Sequence, residues 1–156
     1  MKSTNKKTMT RMLLTLLSVS VVIFIFSQSM MPATESSAES GRVVAFLNSI
    51  CTSLGFEGVF TQGFVRTCAH LVEFAVLGLL LFITVSSYTY NLMFKLIITP
   101  AIYISTAIID ESIQLTSPGR TFQFKDLFID SIGGTLGLLV ALIIMHFAIK
   151  VYKKRG

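Results

Sequence analysis

Charge is scarce in this sequence. Only 13% of its 156 residues are Asp, Glu, Lys or Arg, whereas 53% are hydrophobic, and the mean hydropathy is +0.74. An ordinary water-soluble domain, with about a quarter of its residues charged, is therefore excluded. The two cysteines, Cys51 and Cys68, allow at most one disulfide. An oxidising compartment would permit that bond, but the sequence supplies no distance to support it. No GxSxG elbow, HExxH zinc motif or P-loop is present, so neither a nucleophile nor a reaction can be assigned from motifs. Internal repeats, the alternating pattern of a membrane β-barrel and a basic run long enough for nucleic acid are missing too.

What remains is a set of apolar runs approaching the roughly 20 residues that an α-helix needs to cross a hydrocarbon core. The predicted fold is all-α: one integral membrane domain over 1–156, with four transmembrane helices at about 12–28, 69–88, 92–110 and 128–149. Outer loops are expected over about 29–68 and 111–127. Met12 to Phe26 follows a basic start and has the look of a secretory signal. We read it as a retained span, since its loss would leave an odd bundle of three helices.

The +5 net charge is a topology signal. Lys2, Lys6, Lys7 and Arg11 precede the first span, Lys95 lies at the turn before the third, and Lys150, Lys153, Lys154 and Arg155 follow the fourth. By the positive-inside rule both termini are cytoplasmic. All eight acids (Glu35, Glu39, Glu57, Glu73, Asp110, Glu111, Asp126 and Asp130) then fall towards the opposite, outer side. In the first outer loop Val43, Phe46, Leu47, Ile50 and Leu54 recur at helical spacing. A short amphipathic helix over roughly Gly41–Leu54 is predicted there, capped by Ser40, stopped by Gly55 and lying in the interface as a lid.

The chain is organised around Asp110 to Gly137, read as the functional loop. It opens with Asp110 and Glu111, adds Gln114, turns at Ser117-Pro118-Gly119, presents Arg120 and re-enters a helix through Asp126 and Asp130. Ionisable groups near lipid are costly and normally face a partner or a polar cavity. Asp126, Asp130 and the glycines 133, 134 and 137 fall on successive turns, which places the acids on a small-residue face. Gly133 and Gly137 form a GxxxG spacing and are read as packing residues. On the second span Arg66, His70 and Glu73 share one face through offsets of four and three. His70 and Glu73 can hold a metal or form a hydrogen-bonded pair that orients the imidazole. Ser27 and Gln28 are expected at the outer membrane boundary, and Pro100 interrupts the third span, where it is expected to kink the helix.

FSQS after the first helix, AHLVEFAVLG at the second, DESIQ at the third and PGRTFQFKDLFIDSIGGTLG into the fourth resemble, in order and spacing, the VanZ-like family of membrane proteins. That family takes its name from an accessory protein of teicoplanin-class glycopeptide resistance. The resemblance spans most of the chain and implies His70, Glu73, Asp110, Glu111, Gln114, Arg120 and Asp126 as functional residues. The family pattern carries Asn where this chain has Asp130, and the serine–glutamine segment is slightly rearranged.

The resemblance implies a non-enzymatic envelope factor that lowers sensitivity to teicoplanin-like drugs by altering how the drug or its cell-wall target is presented. The residues add an outward polar site in which Arg120 and Arg66 can bind a carboxylate or phosphate. Its expected partners are the lipid bilayer, cell-wall precursor lipids or the lipoglycopeptide itself, and a second copy of the chain or a cell-wall enzyme. No nucleic acid is expected. The alternative is an enzyme acting on a lipid-linked anion, with His70 as acid or base and Glu73, Asp110 or Asp126 orienting it or holding a divalent metal, the cofactor being otherwise unassigned. A small anion or proton transporter ranks third, because the inner halves of the helices hold almost no ionisable residues. The plainest reading is a polar knot in which Arg66 and Arg120 neutralise the neighbouring acids.

Overall fold

The computed structural model describes residues 2–56 and 58–155, with side chains for 5–56 and 58–151. Glu57 and the side chains of Lys2, Lys153, Lys154 and Arg155 lie outside the described residues. Five helices follow in chain order: α1 (Lys2–Ser29), α2 (Ala33–Ser53), α3 (Gln62–Tyr88), α4 (Leu92–Gln114) and α5 (Phe124–Arg155). No strand occurs among the described residues. All but α2 are long and apolar enough to cross a membrane, over Asn5–Ser29, Gln62–Tyr88, Leu92–Gln114 and Phe124–Val151.

Burial is inverted relative to a water-soluble bundle. Among the described residues nine hydrophobic ones are buried against twelve polar or charged ones, while Ile97, Phe128, Ile143 and Phe147 are each more than half exposed. An apolar exterior around a polar interior is what a hydrocarbon solvent selects, and the chain is a multi-pass membrane protein. The small core joins Ile25 of α1, Phe74, Leu77, Leu81 and Phe82 of α3, Tyr103 and Ala107 of α4, and Leu138 and Ala141 of α5.

The most extensive helix pairing is α3 with α5. A methyl group on Gly137 would overlap the Ala75 carbonyl, and one on Gly133 the Leu71 carbonyl. Only glycine lets these backbones approach so closely, and Gly133 and Gly137 sit at the α3–α5 contact. Adjacent Gly134 faces the Tyr103 ring of α4. The small-residue stripe thus brings α3, α4 and α5 together around one axis.

Several boundaries differ from those predicted. α2 starts at Ala33, well before Gly41, because Pro32 at its N-cap presets a φ of −55° and Glu35 suits the first turn. Ser40 is therefore inside the helix and does not cap it. Gly55, at φ +85°, does end the element. α3 starts at Gln62, seven residues before the predicted 69, with Thr61 capping the Phe64 amide at 3.2 Å. α4 continues through Pro100 to Gln114, so Asp110, Glu111 and Gln114 sit on its last turns. α5 opens at Phe124 and already carries Asp126. The stretch read as one functional loop is two helix ends and a short connection over 115–123. Cys51 and Cys68 are free thiols.

Candidate functional site

The four spans alternate in direction, so one end of the bundle gathers the end of α1, all of α2, the starts of α3 and α5 and the end of α4. Its carboxylates make this the acidic end of the bundle. At the opposite end Arg11 donates to the Ser87 carbonyl at 2.8 Å and sits over the Tyr88 ring, tying α1 to α3.

The connection 115–123 straps the acidic end together. Ser117 donates through Oγ to the Ser29 carbonyl at 2.7 Å, and the Ala33 amide donates to the Pro118 carbonyl at 3.0 Å. Gly119 takes a φ of +74°, a left-handed turn that suits a residue lacking Cβ. Arg120 then reaches back, donating from Nη2 to Ser36 Oγ at 2.7 Å and from Nη1 to the Ser29 carbonyl at 3.4 Å. Each residue of Ser117-Pro118-Gly119-Arg120 thus serves to hold the α1–α2 junction over the bundle mouth.

Beneath α2 lies a cavity of about 270 Å³, lined by Gln28, Ser29, Arg66, His70, Glu73, Asp110 and Arg120 among its polar residues and by Phe24, Val43 and Val65 among its apolar ones. Asp110 is fully buried and held on both oxygens: Ser29 Oγ donates to Oδ1, and Gln114 Nε2 donates to Oδ2 at 3.2 Å. Arg66 Nη2 donates to Gln114 Oε1 at 3.1 Å, so Gln114 is the hinge between a guanidinium and a carboxylate. His70 Nδ1 lies 3.1 Å from Oδ1 of the fully buried Asp130, the imidazole N–H donating to the carboxylate.

Of the residues singled out from the sequence, Arg66, His70, Glu73, Asp110 and Arg120 share this cavity, and Gln114 stands behind it. Glu111 and Asp126 are not on its wall. Neighbours in a helix project about 100° apart, so Glu111 cannot face the same way as Asp110. Its Oε2 instead accepts the Gln123 amide at 2.7 Å, just before α5 begins. Asp126, also buried, is one turn before Asp130. His70 pairs with Asp130 and not with Glu73, which lines the cavity without a side-chain bond.

The arginines do not neutralise the acids as a polar knot would require. Among the described residues the ion pairs within 4.0 Å are His70–Asp130 and the surface pair Arg42–Glu39. Neither Arg66 nor Arg120 touches a carboxylate, and the buried Nε of each has no partner. Burial first, and then the neighbouring Arg66, pull Arg120 below the ordinary guanidinium value. The sequence reading missed Ser29 and the partnership of Asp130 with His70. Asp130 was detectable as a carboxylate on the small-residue face, whereas Ser29 stood out only as the last residue of FSQS, with nothing to mark it as a partner of Asp110.

The model of the VanZ/LLP1 family matches residues 14–145, most of the chain, and the chain belongs to that family. Neither the curated proteins nor the solved structures give a match.

Proposed function

We propose that this member of the VanZ/LLP1 family is a cell-envelope protein that contributes to teicoplanin-class glycopeptide resistance by binding an anionic envelope group in the cavity under α2. The observation that carries the reading is a pair of guanidiniums with no carboxylate partner. Arg66 and Arg120 line one cavity, repel each other and lack any carboxylate within 4.0 Å. A phosphate or carboxylate between them would supply the missing acceptors through planar N–H donors. The apolar side of the cavity, with Phe24, Val43 and Val65, suits the lipid portion of such a molecule. The excess of basic residues at the opposite end supports an orientation with both termini in the cytoplasm and this cavity outside.

The test is susceptibility to teicoplanin and vancomycin in a sensitive Gram-positive host carrying the intact protein, Arg120→Ala or His70→Ala at matched membrane abundance. Selective teicoplanin protection, lost with Arg120→Ala, is the expected result. No protection from the intact, inserted protein rejects the resistance reading, and protection unchanged by Arg120→Ala rejects the anion contact.

A second reading, an enzyme acting on a lipid-linked anion, is favoured by one observation. Asp130 fixes the orientation of the His70 imidazole, as a general acid or base needs. Mass spectrometry of envelope lipids with the intact protein and with His70→Ala tests it. Identical lipid profiles reject catalysis.

A further inference from the structure

Of the carboxylates at the acidic end, four, Asp110, Glu111, Asp126 and Asp130, are at most 6% exposed. Buried charge needs a counter-charge. Arg66 and Arg120 direct their hydrogen bonds to Gln114, Ser29 and Ser36 instead, leaving the His70 imidazole as the one basic side chain within 4.0 Å of these four carboxylates among the described residues. Asp130 is fully buried, and its Oδ2 has no hydrogen-bond partner. Glu111 Oε1 is in the same condition. The bundle has therefore buried four carboxylates that no arginine or lysine approaches within 4.0 Å among the described residues.

Three donors converge there from three different helices. His70 of α3, Asp110 of α4 and Asp130 of α5 each offer a ligand atom, and these atoms all lie within 4.8 Å of one another. Metal–donor distances of about 2.0–2.2 Å place ligand atoms roughly 3–4 Å apart, so small side-chain shifts would close the set around an ion. Asp110 is already oriented by Ser29 and Gln114, which resembles the outer shell of hydrogen bonds that fixes metal ligands. Glu73, the sequence-based partner of His70, is not in the set.

We infer that His70, Asp110 and Asp130 form a binding site for one divalent transition-metal cation. A neutral imidazole with two carboxylates balances a 2+ ion, and its nitrogen donor favours Zn²⁺ or Mn²⁺ over the all-oxygen preference of Mg²⁺ and Ca²⁺. Three protein ligands leave a coordination position open. Because His70 and Asp110 line the cavity that Arg66 and Arg120 also line, an anion held there can meet the cation on one side and the guanidiniums on the other. The cation site itself goes beyond the proposed resistance role and is tested without any anion or drug.

Full-length protein purified in detergent and stripped with a chelator is titrated with Zn²⁺ or Mn²⁺ alone, with calorimetry and elemental analysis as readouts. One bound ion per chain is expected, weakened at least about tenfold by Asp130→Asn and by His70→Gln and unchanged by Cys68→Ser. Absence of binding, binding insensitive to both ligand substitutions, or binding lost with Cys68→Ser overturns the site. Should the ligand variants fail to fold, Co²⁺-loaded wild-type protein decides. Visible absorption of a four- or five-coordinate nitrogen–oxygen site supports the inference, and a thiolate charge-transfer band or the spectrum of aqueous Co²⁺ overturns it.

Discussion

His70 and Asp130 are 60 residues apart in sequence, on α3 and α5, and their side chains meet at 3.1 Å inside the bundle. The contact forms just above the place where Gly133 lets α5 approach the Leu71 carbonyl, so backbone packing and the polar pair depend on each other. Removing the imidazole leaves a fully buried carboxylate without its one cationic neighbour, whereas removing both groups leaves no charge to compensate.

His70→Ala is therefore expected to destabilise the protein by about 3 kcal/mol, and His70→Ala with Asp130→Ala by less than the sum of the single changes. Thermal unfolding in detergent across the four proteins measures the coupling. Additive effects would mean that the two residues act independently.

Gly137→Ala places a methyl group against the Ala75 carbonyl. Separation of α3 from α5 should cost about 1–3 kcal/mol, visible as a lower unfolding temperature. Gly63→Ala, where an added Cβ meets nothing within 4 Å, is the matched control and should have a much smaller effect.

Arg120 ties the 115–123 connection to Ser29 and Ser36, so Arg120→Ala should loosen α2 while sparing the spans. Hydrogen exchange should rise over 33–53 and stay unchanged in the middle of α3. Equal exchange in both proteins would show that the Ala33–Pro118 backbone bond and the Ser117 bond suffice to hold α2 in place.

Glu111 accepts the Gln123 amide at the entrance to α5. Glu111→Ala removes that acceptor and is expected to cost about 1–2 kcal/mol, with faster exchange confined to the first turn of α5. A loss of teicoplanin protection as large as that of Arg120→Ala, at equal abundance, would instead make Glu111 part of the binding surface.

Much of this architecture follows from local physics. Four apolar runs of membrane-spanning length can satisfy their backbone groups in lipid only as helices, which makes the all-α fold readable without coordinates. The glycine spacing of α5 marked the face that packs, and offsets of three and four placed Arg66, His70 and Glu73 on one side of α3. The resemblance carried by DESIQ and PGRTFQFKDLFIDSIGG matches the family to which the chain belongs. Boundaries were less legible near polar residues. Serines and acids around Ala33–Ser40 and at Asp110–Gln114 look like loop, yet they remain helical because a proline, first-turn acids and interhelical bonds satisfy them.

Which polar residues touch was decided by tertiary structure alone. Periodicity places His70 and Glu73 on a common face but cannot show that Asp130 arrives from α5 to take the imidazole, nor that Ser29 at the end of α1 binds Asp110. Charge counting suggests that two arginines neutralise neighbouring acids, whereas the packed helices turn them towards Gln114, Ser29 and Ser36. Sequence thus determined the elements and their polar faces, because propensity and periodicity are local. The pairing of His70 with Asp130 and the separation of the arginines from the acids arise only when helices distant in sequence are brought into register by close backbone contact.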